Sequence, residues 1–183
     1  MNLPDLSNRP TPDWSPFVVS PKPVAPRSIN TAEGVSDRLR AAAFAEIQAR
    51  EAFNWASQFF TDAPELLRQA WAELARAEDR HLGWLLKRME DLGVDVREKT
   101  VSDHLWHSLM ACQNARDFAF YIANAEERGR RAGVRFRDAM KSHDPISAEI
   151  FGKIADEEVE HIELAARHYP EGQWGPQLAA SLQ

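Results

Sequence analysis

Two short stretches carry residue types at a spacing that can do chemistry: Glu78-x-x-His81 and Glu158-x-x-His161. On a helix, an offset of three residues places a carboxylate and an imidazole on one face. A further glutamate stands 32 residues ahead of each motif, Glu46 before Glu78 and Glu126 before Glu158. Paired Glu-x-x-His motifs, with one Glu from each of two other helices, are how helical bundles hold two metal ions. The spacing therefore predicts two helical hairpins, each carrying Glu and then Glu-x-x-His. The expected metal ligands are Glu46, Glu78, His81, Glu126, Glu158 and His161.

A lone Glu-x-x-His is a weak signal, because in a charge-rich helix it is usually a solvated pair. The surroundings strengthen it. Leu74, Ala75 and Leu82 flank Glu78 and His81 at helical spacing, and Ile154, Ala155 and Ile162 flank Glu158 and His161. Ile122 and Ala123 precede Glu126, and Ala42, Ala43 and Ala49 surround Glu46. These apolar stripes carry four carboxylates into the core, where an unpaired charge costs several kcal/mol or takes up a proton. No lysine lies on the inward positions, and only Arg50 and Arg130 stand near. Two divalent cations match the four carboxylates in charge. Carboxylate and imidazole donors suit iron, with manganese next, and the absence of thiolates argues against structural zinc.

The neighbouring acids test that choice. Glu51, Glu127, Glu157 and Glu160 are turned by about 100° from the proposed ligands. Glu127, with Arg131 four residues on, and Glu160 are expected on a wet face. Glu157 precedes His161 by one turn and is expected to accept a hydrogen bond from a ring N–H of a ligand histidine. Tyr121, five residues before Glu126, is a candidate to reach the metals or carry an electron, beside its ordinary role as a core tyrosine.

Helical elements must position these groups. Helix one is expected from Thr31 or Ser36-Asp37 to about Phe60, and helix two from the Asp62-Ala63-Pro64 start to about Leu92, where Gly93 ends it. After a link of about ten residues, Ser102-Asp103 caps helix three, which is expected to end or bend between Gly129 and Gly133. Residues 134–143 read as a short extra turn, and Asp144-Pro145 opens helix four, which runs to about His168. No alternating pattern of useful length marks a strand, so the expected fold class is all-α, an antiparallel four-helix bundle over residues 31–170. Residues 1–30 hold seven of the eleven prolines and read as an extended arm. Trp14, Phe17, Val18 and Val19 are too apolar for a solvated tail, so the arm is expected along the bundle or on a neighbouring subunit, making a homodimer in the second case. Residues 171–183 form a C-terminal tail.

The whole chain narrows the function classes. Its 183 residues suit one domain with an extension. A net charge of −6 gives no electrostatic case for nucleic acid or an anionic membrane. Cys112 is the only cysteine, so no intramolecular disulfide and no cysteine metal site form. No apolar run reaches the roughly 18–20 residues of a membrane span. The N-terminus lacks a basic head before an apolar stretch, which makes a cytoplasmic location the expectation. His104 and His107 repeat the three-residue offset but lack a carboxylate at that level and read as surface residues. The basic stretch Arg128, Arg130, Arg131, Arg135, Arg137 and Lys141 reads as a solvated face before it reads as a phosphate or RNA site.

Phe44-Ala45-Glu46-Ile47-Gln48-Ala49, Ala77-Glu78-Asp79-Arg80-His81, Ala125-Glu126-Glu127-Arg128-Gly129, Glu157-Glu158-Val159-Glu160-His161 and Arg167-His168-Tyr169 together carry a resemblance. Over about residues 30–170 the chain resembles the ferritin-like superfamily and, more narrowly, a bacterial family of ferritin-like proteins with a domain of unknown function (DUF455). It departs from that pattern at Glu157, where aspartate is expected in D-E-x-x-H. The resemblance implies a bundle with a dinuclear, di-iron centre. Fold relatives such as ferritins, rubrerythrins, tRNA hydroxylases and ubiquinone-biosynthesis hydroxylases pass on function only as a class. Three readings remain open. An O2-activating oxidase or hydroxylase would act on an organic small molecule, with the two ferrous ions supplying electrons. A ferroxidase would handle or store iron. A metal-stabilised helical module would only bind.

Overall fold

The computed structural model describes residues 11–170, and the expected C-terminal tail at 171–183 lies outside them. The described residues are helical, with no strand among them. The helices are α1 (Ala32–Phe59), α2 (Glu65–Asp91), α3 (His104–Met110), α4 (Ala115–Met140) and α5 (Pro145–His168), plus a 3-10 turn at Val96–Glu98. α1 packs along α2 and α4 along α5, and the pairs meet through α1 with α4 and α2 with α5.

The ends of these helices follow from local chemistry. Thr31 caps α1 by accepting from the Gly34 N–H, and Asp144 caps α5 by accepting from the Ser147 N–H. Gly93, with φ +66°, takes the left-handed conformation that closes α2. Asp62 does not cap α2. Its Oδ2 accepts from the Ala115 N–H at 3.0 Å, across the fold at the start of α4. Pro64 occupies the capping position of α2 instead, without a side-chain bond.

The expected third helix is two helices. Asn114 accepts from the Asp117 N–H and starts α4 afresh, four residues after the short α3 ends. α3 itself is fastened to α1 by Gln48, whose Oε1 accepts from the Trp106 N–H and whose Nε2 donates to the Phe44 and Ser102 carbonyls. Gly129 and Gly133 do not end or bend α4, which continues unbroken to Met140 and absorbs the expected extra turn. Gly133 has a packing reason. A Cβ there would meet the Phe151 carbonyl oxygen of α5 at 3.3 Å, so the glycine lets α4 and α5 approach closely.

Residues 11–30 lie along the chain's own helices. Trp14 and Phe17 place their rings 5.4 and 5.1 Å from Phe44, and Trp14 also meets Trp106. Val19 bridges Val101 in parallel, and Arg27 pairs with Asp37 and Glu98. Arg40, almost wholly buried, ties the same region together through Asp37, Glu98 and the Asp95 and Val96 carbonyls. Two apolar clusters result. One gathers Phe53, Trp71, Leu109 and Phe118, and the other gathers Phe17, Leu39, Phe44, Leu85, Met89 and Phe151. Each large side chain buried in them contributes about 1.5–3 kcal/mol, which offsets the cost of the polar layer that separates them.

Candidate metal centre

In the chain order of every long helix, the two apolar clusters flank a polar interval. Glu46 of α1 lies between Phe44 and Ala49, which belong to different clusters. Glu78 and His81 of α2 lie between Ala75 and Leu82, and Glu158 and His161 of α5 between Ile154 and Ala165. Glu126 of α4 follows Ala123. Glu78 and His81 are fully buried, and Glu158 and His161 nearly so.

Glu78 and Glu158 each turn one oxygen toward each histidine. His81 Nδ1 lies 3.5 Å from Glu78 Oε2 and 3.3 Å from Glu158 Oε1. His161 Nδ1 lies 2.9 Å from Glu78 Oε1 and 3.2 Å from Glu158 Oε2. Glu46 Oε2 stands 3.6 Å from His81 Nδ1. Ligand atoms of Glu46, Glu78, His81 and Glu158 all fall within 4.8 Å of one another, a group able to hold a metal ion. Glu126 adjoins Glu158 and is close enough to Glu78 and Glu46 to be affected by their charges.

These approaches are short, yet none has the angles of a hydrogen bond. Both oxygens of Glu78, both of Glu158 and Nδ1 of each histidine are buried with no hydrogen-bond partner among the described residues. Leaving such an atom unsatisfied costs about 1–3 kcal/mol, more when it is charged. Six of them converge on shared space rather than on one another, which is the arrangement a cation satisfies. The donor set fits as well, since four carboxylates and two neutral imidazoles carry the charge of two divalent ions.

Without metal, protons do part of that work. Burial, with the charges of Glu78 and Glu158 adding to it, pushes the Glu46 and Glu126 carboxyls well above the usual range. Burial opposes charge on His161, but Glu158 and Glu78 outweigh it and raise its pKa to about 10. The same balance, with Glu158, Glu46 and Glu78 prevailing over burial, raises His81. Glu78 is lowered, because the two histidines overcome the effect of its burial.

Glu157 sits where the chemistry needs it, though beside the histidine of the other hairpin. Its Oε2 lies 3.0 Å from His81 Nε2 and accepts from Arg80 at 2.8 Å. Burial raises the Glu157 pKa, but Arg80 and His81 prevail and hold it below the ordinary value. A carboxylate on Nε2–H turns the lone pair of Nδ1 toward the cluster and makes it a better donor. The position matching Glu157 in the first hairpin is Ala77, so the two halves of the cluster differ. Glu157→Gln is accordingly expected to weaken the metal position beside His81 by about 10- to 100-fold. A two-step chelator competition would read this, and an unchanged isotherm counts against the assignment.

Several sequence expectations are placed elsewhere. Glu127 is buried, not wet, and pairs with both Arg130 and Arg131. Tyr121 is 37% exposed and is not brought to the cluster. His107 is an exposed residue beside Asp103. Arg137 and Lys141 pair with Asp138, so much of the basic stretch is neutralised locally. Arg80 went unnoticed in the sequence; its signal is its place one residue before His81. No helix among the described residues is long and apolar enough to cross a membrane. Compared with curated proteins and with solved structures, the chain matches none of them. The model of one family, described as "Protein of unknown function (DUF455)", matches residues 2–172, and the chain belongs to that family.

Proposed function

We propose that this chain is a ferritin-like four-helix bundle whose centre holds two metal ions, iron in preference to manganese, and uses them to activate O2 for oxidation of a small organic molecule. The observation that supports it is the double-facing geometry of Glu78 and Glu158, each with one oxygen toward His81 and one toward His161. Glu78 and Glu158 would be shared between the two ions, with Glu46 and His81 helping to hold one and Glu126 and His161 the other. Two ferrous ions held there would supply the electrons for reducing O2.

The chain's own groups do the rest. The apolar clusters on both sides exclude water from Glu78 and His81. Glu157 and Arg80 fix the ring of His81. Glu46 and Glu126 are the more accessible carboxylates, able to shift as a ligand enters, whereas Glu78 and Glu158 are locked between helices.

Iron storage is the less favoured reading, because a mineral needs a volume lined with spare carboxylates. Among the described residues the acids of the centre form the one grouping able to hold a metal. The test is to load the reduced protein anaerobically with ferrous iron, admit O2, and follow oxygen uptake and iron per chain. Oxygen uptake with about two iron atoms retained is expected. Tens of ferric ions per chain would establish storage. No uptake with metals in place would leave a binding module.

A further inference from the structure

A cavity of about 280 Å³ lies among α1, α4 and α5 beside carboxylates of the centre. Ala42, Ala45 and Ala49 of α1 line one wall, and Ala132 and Gly133 of α4 the other. Glu46, Glu126 and Glu158 line it as well. Glu158, whose two oxygens are buried without a hydrogen-bond partner among the described residues, belongs to that lining. Phe136 and Phe151 also line it, their rings packed edge to face. Ala41 and Ala45 are exposed, so the slot reaches solvent.

The lining is small and apolar, which sets the width of any occupant. A cavity of about 150 Å³ holds a six-carbon ring, so this one takes on the order of ten non-hydrogen atoms. Its charged neighbours set the occupant's polarity. Arg130 lines the slot but is engaged by both oxygens of Glu127. Arg38 is different. It stands beside the lining, not in it: its guanidinium lies 5.6 Å from the centre of the Phe136 ring, and its Nη1 is buried with no hydrogen-bond partner among the described residues. A buried guanidinium nitrogen lacking an acceptor is the group a carboxylate satisfies best. Arg38 precedes Glu46 by eight residues, a rise of about 12 Å along α1. An extended ten-carbon chain covers about the same length, each bond of about 1.5 Å advancing it by roughly 1.25 Å.

We propose that the slot binds a slender, unbranched apolar chain of about ten carbons bearing an anionic head, with the head on Arg38 and the far end at Glu46, Glu126 and Glu158. This names a substrate class for the proposed oxidation and rests on that reading only for the role of the metals. Binding itself needs the slot and Arg38.

The experiment is calorimetric titration of the metal-loaded protein with decanoate and with 1-decanol, repeated on Ala45→Phe and Arg38→Gln. Ala45 is exposed, so phenylalanine there can fill the slot without entering the core. Decanoate is expected to bind at least tenfold more tightly than decanol. Ala45→Phe should lose at least tenfold for both probes with metal content and helicity unchanged. Arg38→Gln should bring decanoate to the level of decanol and leave decanol as it was. Absence of saturable binding, or wild-type affinity in Ala45→Phe, overturns the slot. Equal affinity for the two probes, or no effect of Arg38→Gln on decanoate, overturns the head-group contact. Metal content is measured on the same samples. Protein with two metals that ignores decanoate sinks this inference alone, and protein that binds decanoate but never two metals sinks the dinuclear reading alone.

Discussion

Glu78→Ala and Glu158→Ala are each expected to lose both metal ions, whereas Glu46→Ala loses only one. The difference lies in where the oxygens point. Glu78 and Glu158 each approach both histidines, at 2.9–3.5 Å, so under the proposed dinuclear reading each carboxylate would serve both positions. Glu46 approaches His81. Removing a shared carboxylate takes one negative charge from the cluster and one donor from each position. Helix content should survive, because the apolar clusters on both sides still pack. Metal analysis with anomalous diffraction checks this. Two ions in either alanine variant would show that the bridging assignment is wrong, and loss of both in Glu46→Ala would show that the positions do not fill independently.

The second large effect is on stability. Stripping the metals should lower the melting temperature by on the order of 10 °C. A ligand at a thousand times its Kd stabilises the folded state by about 4 kcal/mol, and each kcal/mol moves a chain of this size by about 2–4 °C. The gap should widen as pH rises. In the stripped protein His161, raised to about 10, and His81, also raised, contribute stability that is fully present below the ordinary histidine value and is lost as pH climbs through their folded pKa values. Glu46 and Glu126, held above the usual carboxyl range by burial, act in the same direction, since ionising them in the core becomes harder to avoid. The loaded protein behaves oppositely, because protons compete with cations for the same donors and metal binding releases them. Thermal melts from pH 6.5 to 10, with and without chelator, measure it. A gap that is constant or narrows over that range would contradict the assignment of these protons.

The helical class and the approach of Glu46, Glu78, His81, Glu158 and His161 to one another were legible because both rest on one regularity. A 3.6-residue period that places Leu67, Trp71 and Leu85 inward must carry Glu78 and His81 inward with them. Breaks in that period were harder to read. The restart at Asn114 depends on a cap bond to the Asp117 N–H, and the same residue types occur in turns and helices alike. Gly129 and Gly133 were misread because propensity counts only the local cost of glycine, while Gly133 is set by the approach of Phe151 from α5. Asp62 was assigned to the helix it precedes, though its carboxylate serves one 53 residues away. Glu127 looked wet because Arg131 lies one turn on, but Arg130 and Arg131 together allow it to be buried. At Asp62 and Gly133 a tertiary contact overrides a local preference, whereas at Asn114 and Glu127 a local cap and local ion pairs decide.

The bond from Asp62 to the Ala115 N–H has a consequence for how the molecule comes apart. The turn that closes the first hairpin also supplies the acceptor for the first amide of α4, in the second. Fraying at either place exposes an unmet polar group at the other, a penalty of about 1 kcal/mol for a lost cap. Opening of one hairpin is therefore coupled to opening of the other by about that amount. Cooperativity is built into the backbone before any cation binds, and the half-set of donors on each hairpin is held in register with the other half as the chain folds.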